Sequence, residues 1–248
     1  MIAGVTTLLL VALGAASVDP PPPVGEPDAS AIVRRAVEAV GPVSEVTSLR
    51  AEGEVRSEGH ADRTVRFEML SVAGAPRRLL LRQRLADGRA MEMGCRGDTG
   101  WMRRPGASAA APLDAVAVST ATASLLPSRM VLAVADRFPH RTVGTVAPFE
   151  GRPCRCVEVE DRDGVKGRLW FDESNGRLAG IETDAKDALR PASRLVIEAW
   201  GPAGPLTVPT RLRMRNGDET IVTEFTRVSV DPIPEAAFDP PAEAMPRE

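Results

Sequence analysis

Leu49-Arg50-Ala51-Glu52-Gly53-Glu54-Val55-Arg56 sets a small or apolar residue at every odd position and a charge at every even one. Successive side chains of a β-strand point to opposite faces, so this stretch reads as a strand with one dry and one wet face. The pattern repeats downstream. Val65, Phe67 and Met69 alternate with Arg66 and Glu68, and Leu79, Leu81 and Leu85 oppose Arg78, Arg82 and Arg84. Asp87-Gly88 marks a hairpin turn into Met91, Met93 and Cys95, which oppose Glu92 and Arg96. Gly97-Asp98-Thr99-Gly100 turns the chain again, into Trp101-Met102. Consecutive strands joined by tight turns form a meander.

Upstream the period changes. Ala29 to Val40 carries Ile32, Val33, Ala36, Val37 and Val40 on one helical stripe, with Asp28 or Ser30 as cap and Gly41-Pro42 as stop. Ile2 to Leu13 is almost unbroken apolar sequence followed by small residues at Gly14, Ala15, Ala16 and Ser17. That run is too short for the roughly 20 residues of a membrane span and has the layout of a secretory signal over residues 1–16. A short N-terminal membrane anchor or a buried helix is the other reading. No cysteine follows the run, so the lipid-modified bacterial signal is not expected. Residues 17–28 contain Pro20 to Pro23 and Pro27 and read as an extended linker. The domain itself is expected over 29–242, with a tail at 243–248.

Downstream, Ala107 to Phe138 loses the alternation and is rich in alanine, which predicts two short helices separated near Pro127. Strand signals return at Arg141 to Phe149 and continue through Cys154 to Glu160, Val165 to Phe171, Leu178 to Thr183, Arg194 to Trp200, Thr207 to Arg215 and Glu219 to Val230. Asn175-Gly176 and Asn216-Gly217 predict type I′ hairpins. Pro209 predicts an edge position for its strand. Phe238, set among prolines, reads as an apolar plug on an extended strap. The expected fold is mainly β: a curled antiparallel sheet or unclosed β-barrel of about 10–11 strands, with an N-terminal helix and a helical lid inserted mid-chain. No period of a solenoid or propeller is present.

The chemistry is sparse. A net charge of -3 argues against nucleic acid, whose affinity rests on a positive field. No nucleophile elbow, phosphate-cradling loop, zinc-protease motif or Cys-x-x-Cys occurs, so an enzyme is not expected. His60 and His140 read as solvated, and with Cys95, Cys154 and Cys156 they do not make a zinc spacing. Neither a metal nor a cofactor is expected. An exported protein permits a disulfide, with Cys95 pairing Cys154 or Cys156. Glu158 and Glu160 oppose Val157 and Val159, which places them in water. What remains is a soft aliphatic face. The residues expected to line an apolar cavity are Val55, Phe67, Met69, Leu79, Leu81, Met91, Met93 and Trp101 on the sheet, with Leu125, Leu126, Met130 and Val134 on the lid.

The order of several short motifs resembles the LolA/LolB-like family of periplasmic lipoprotein carriers, which includes the lipid-sensing domain of RseB-type regulators. They are the helix ending at Gly41, Gly53, Pro76 with Arg78, Gly97-Asp98-Thr99-Gly100-Trp101, the helical insert, Gly151-Arg152-Pro153-Cys154, Phe171 to Leu178, Val208-Pro209-Thr210 and Ile233 to Pro241. The resemblance implies an unclosed barrel lidded by helices, holding acyl chains without a cofactor. The aromatic-arginine signature of the proteobacterial carriers is missing after Pro76, and so is the LolB-type lipidated cysteine. The expected function is an exported, periplasmic or envelope-associated binder or carrier of lipid or lipoprotein acyl chains. Envelope membrane proteins are further expected partners. The alternative is a non-enzymatic envelope sensor or scaffold that binds a protein.

Overall fold

A computed structural model describes residues 28–73, 76, 78–113, 138–161, 164–185 and 192–239. Helix α1 (Ala29–Val40) forms where the 3.6-residue stripe lies. The Asp28 carboxylate accepts the Ser30 N–H at its start, and Gly41, at φ 104, ends it. The strands that follow are β1 (Ser48–Ser57), β2 (His60–Val72), β3 (Arg78–Arg84), β4 (Ala90–Arg96), β5 (Thr99–Arg103) and β6 (Ala111–Leu113). After them come β7 (His140–Phe149), β8 (Arg152–Glu160), β9 (Lys166–Asp172), β10 (Leu178–Thr183), β11 (Ser193–Ala203), β12 (Leu206–Asn216) and β13 (Glu219–Ser229). A 3-10 turn, Glu235–Phe238, closes the described chain.

These strands make one antiparallel sheet in the order β6-β5-β4-β3-β2-β1-β13-β12-β11-β10-β9-β8-β7. Its ends are β6 and β7, so it does not close, as the unclosed sheet read from the sequence requires. Among the described residues the sheet has thirteen strands, where about 10–11 were expected. One of the additions, β6, occupies the start of the region read as helical, where Ala111, Pro112 and Leu113 pair with β5. The rest of that insert lies outside the described residues.

Within the described residues the chain divides into two compact units, one of residues 44–113 with 223–239 and one of 28–43 with 138–222. In the second unit α1 packs against β7 and β12, burying Val33, Ala36 and Val40. Val157, Leu169 and Ile197 on the strands are fully buried. The wet face of these strands carries a chain of ion pairs: Arg168–Glu182–Arg194–Glu150–Arg213–Glu198–Arg211. Beneath it Phe149 stacks on Trp170 at 5.1 Å, Trp170 Nε1 donates to Glu182, and the Arg194 guanidinium lies 4.7 Å from the Phe149 ring.

Three turn and edge readings are corrected. The two Asn-Gly hairpins form where expected, but Gly176 (φ 73) and Gly217 (φ 60) alone take positive φ, whereas a type I′ turn needs two such residues. That pair occurs instead at Glu150 (φ 49) and Gly151 (φ 75), between the paired Phe149 and Arg152. Pro209 does not mark an edge. β12 lies between β11 and β13, and Pro209 sits opposite Trp200 beside irregularities in β11, where the ladder is already interrupted.

Candidate functional site

The site is the dry face of β1–β5 in the first unit. Cross-strand register carries the sequence alternation from strand to strand. Ala51 pairs with Met69, Met69 with Leu81, Leu81 with Met93 and Met93 with Met102. Paired residues of an antiparallel ladder share a face, so the odd positions of β1 to β4 line up as one apolar surface. Leu49, Ala51, Met69, Leu79, Leu81, Met93 and Cys95 form its buried centre. Phe67, Met102, Leu113, Phe225, Val228 and Val230 pack against that centre and are only half-buried. Val55, opposite Val65, and Met91, beside Gln83, are half-buried as well.

Gly53 is required on this face. A Cβ there would collide with the Glu224 carbonyl oxygen and the Phe67 ring. With no side chain at 53, Phe67 leans over β1 and meets Phe225 edge-on at 5.5 Å. The charged positions fall on the other face. There Glu68 joins Arg50 and Arg82, each at 3.0 Å, and Glu92 joins Arg82 at 3.4 Å and Arg103 at 2.6 Å. Among the described side chains, the apolar surface therefore carries no charge from β1–β5.

The structure brings Val55, Phe67, Met69, Leu79, Leu81, Met91 and Met93 to this single face. Trp101 is a correction. It pairs with Gly94, one position out of phase with Met93 and Met102, and so points to the wet side. Its ring covers Gly94, where a Cβ would lie 2.6 Å from it, and packs with Leu70, Val72, Leu80 and Phe238. Phe238 thus plugs an apolar patch on the outer face, held by Glu235 against Arg78 and Arg96 and by the Arg78 guanidinium 5.8 Å over its ring. Leu125, Leu126, Met130 and Val134 lie outside the described residues.

The disulfide is also corrected. None of the three cysteines is bridged, and all are buried. Cys95 belongs to the apolar cluster of the first unit, and Cys154 packs with Phe149, Ala179 and Val196 in the second. Burial pushes the Cys154 and Cys156 thiols above their usual range, which makes them poor nucleophiles. Among the described residues no cluster of His, Cys, Asp and Glu is arranged to hold a metal.

Several residues of the face were not singled out from sequence as lining: Met102, Phe225 and Val228 around the centre, the buried Ser71, and Gln83. Gln83 continues the odd positions of β3 between Leu81 and Leu85, pairs with Phe67 and Met91, and is only 8% exposed. Its signal was legible as a polar residue in a dry phase.

No protein-family model and no curated protein matches this sequence. Solved structures do. A LolA superfamily protein from Nitrosomonas europaea superposes with a TM-score of 0.54 at 16% identity, over 85% of this chain and 97% of its own. The fold is LolA-like. A DUF1329 family protein from Desulfovibrio piger has a TM-score of 0.60 at 14% identity, over 85% of this chain and 96% of its own. A domain described as an outer membrane lipoprotein-sorting protein, from Vibrio parahaemolyticus, gives 0.54 at 12% identity, over 84% and 97%. At these identities the likeness speaks for the LolA-like fold alone.

Proposed function

We propose that this chain is a non-enzymatic binder or carrier of lipid or lipoprotein acyl chains that works in the cell envelope. The observation that carries the reading is the set of half-buried apolar side chains on this face: Val55, Phe67, Met91, Met102, Phe225 and Val228 keep surface open among described side chains that carry no charge. Hydrocarbon laid on such a surface gains about 0.8 kcal/mol per buried CH₂, so an acyl chain of ordinary length supports micromolar binding or better. A structural relative is described as a lipoprotein-sorting domain, which agrees with this cargo. Residues 1–16 serve as the export signal and 17–28 as a tether in this reading. Leu125, Leu126, Met130 and Val134 act as the cover over the cargo, and envelope membrane proteins are its donors or acceptors.

Met91→Glu tests it. Met91 is half-buried, so a carboxylate there still reaches water while it spoils the surface for hydrocarbon. Uptake of a fluorescent fatty acid is expected to fall at least tenfold with the circular dichroism unchanged. Undiminished uptake by the folded variant overturns the assignment of this face. A second reading, an envelope sensor that binds a protein through a sheet edge, is favoured by one feature: β7 ends the sheet, and its Val146 is 46% exposed. Copurification of a protein partner that Val146→Arg abolishes, without bound lipid, supports that reading instead.

A further inference from the structure

Gln83 is a polar group in an apolar place. Its neighbours in register are Phe67 on β2 and Met91 on β4, and its neighbours in phase along the chain are Leu81 and Leu85. It is more than nine-tenths buried. Yet its side-chain amide makes no hydrogen bond to any described residue. Its hydrogen-bonding capacity is left for what reaches the face, water in the empty protein or a polar group of a ligand in the loaded one. The amide is also not sealed. Among the described residues the fully enclosed polar side-chain atoms without a partner are Arg78 Nε, Trp101 Nε1, Arg177 Nε, Arg194 Nε and Ser229 Oγ, and Gln83 contributes none. Its amide therefore opens on reachable space at the rim of the apolar face.

We infer that Gln83 is the recognition point for a neutral carbonyl, the ester or amide group that joins an acyl chain to its headgroup. This rests on the acyl-binding reading above and names the chemistry that the same face selects. The amide N–H₂ donates to the carbonyl oxygen while the chain lies over Phe67, Met69 and Met91. Charge decides against a free carboxylate or phosphate. The in-register and in-phase neighbours of Gln83 are uncharged, and Arg66, Arg82 and Arg84 project from the opposite face. The nearest charge in the same phase, Arg89 across from Leu85, is already paired with Asp87. An anion buried here would lose its hydration without a counter-charge, whereas a neutral carbonyl needs only the one donor.

The test compares an ester with its ether. N-phenylnaphthylamine, a fluorescent hydrocarbon-like dye, is loaded onto the full chain and displaced by 1-monopalmitoylglycerol or by 1-O-hexadecylglycerol. The two have the same chain length, and only the first has a carbonyl. Wild type is expected to prefer the ester by about tenfold, the worth of one hydrogen bond to a buried group. Gln83→Met, close in volume and without the amide, should bind the ether as wild type does and lose the preference. Unchanged ether binding also certifies that the variant is folded. Equal affinity of wild type for ester and ether, or a preference that survives Gln83→Met, overturns the role of Gln83 and leaves acyl binding standing. If the dye and both glycerolipids fail to bind wild type at all, acyl binding falls and the role of Gln83 falls with it.

Discussion

Two residues of the same face, Leu81 and Met91, differ in what a charge does to them. Leu81 is 6% exposed in the middle of the cluster, so Leu81→Glu buries a carboxylate with no partner and is expected to cost several kcal/mol, about 3–5. Met91→Glu should leave the melting temperature within a few degrees of wild type. Thermal melts of the two variants check the contrast, and equal losses would mean that the face is uniformly closed. Glu198 makes a separate prediction on the wet side. Burial raises its carboxyl pKa, but hydrogen bonds from Arg213 at 2.6 Å and Arg211 at 2.8 Å outweigh that and hold it below the ordinary range. A carboxylate depressed on folding contributes stability that is complete above its unfolded value, about 4.3, and is lost as pH falls through the folded one. Wild type should therefore lose melting temperature below about pH 5 more steeply than Glu198→Gln, as pH-stepped calorimetry would show.

At the scale of elements, the C-terminal strap is a separable piece. Phe238 is 3% exposed between Leu70, Val72 and Leu80, while the Glu235–Phe238 turn around it is largely in water. Phe238→Ala removes the only side chain of that turn that is buried. A buried phenylalanine is worth about 3–5 kcal/mol, but detachment of the strap caps the loss at the strap's own binding energy. Hydrogen exchange is expected to accelerate at the amides of Ala237 and Asp239, which bond within the turn, with β2 and β3 left protected. Acceleration that spreads through β2 and β3 would show instead that the strap is part of the core. The plug itself was readable, since an aromatic among prolines has little else to do. Its seat was not, because Leu70, Leu80 and Trp101 belong to the wet phase of their strands. Only cross-strand register collects them into a second apolar patch.

For the molecule as a whole, the thiols Cys154 and Cys156 distinguish this packing from the disulfide read in sequence. Iodoacetamide should label both slowly in the native protein and rapidly after denaturation, without a reductant. A requirement for reductant would overturn the packing of β8. The helix stripe of Val33, Ala36 and Val40 and the odd positions of β1 to β4 were legible because each obeys a local period of 2 or 3.6 that side-chain direction imposes, and the hairpin glycines because a tight turn needs positive φ. Strand content, the meander and a charge-free face followed from these alone. Trp101, Pro209 and Cys95 were misread for a common reason. Each depended on a neighbour distant in sequence: Phe238 against Trp101, the broken ladder opposite Pro209, and the separate clusters that hold Cys95 and Cys154. Gln83 stands on the boundary between the two kinds of information. Its phase on β3 is written in the chain, but only pairing with Phe67 and Met91 shows its amide in an apolar surround, since the period says which way a side chain points and tertiary structure decides what it meets there.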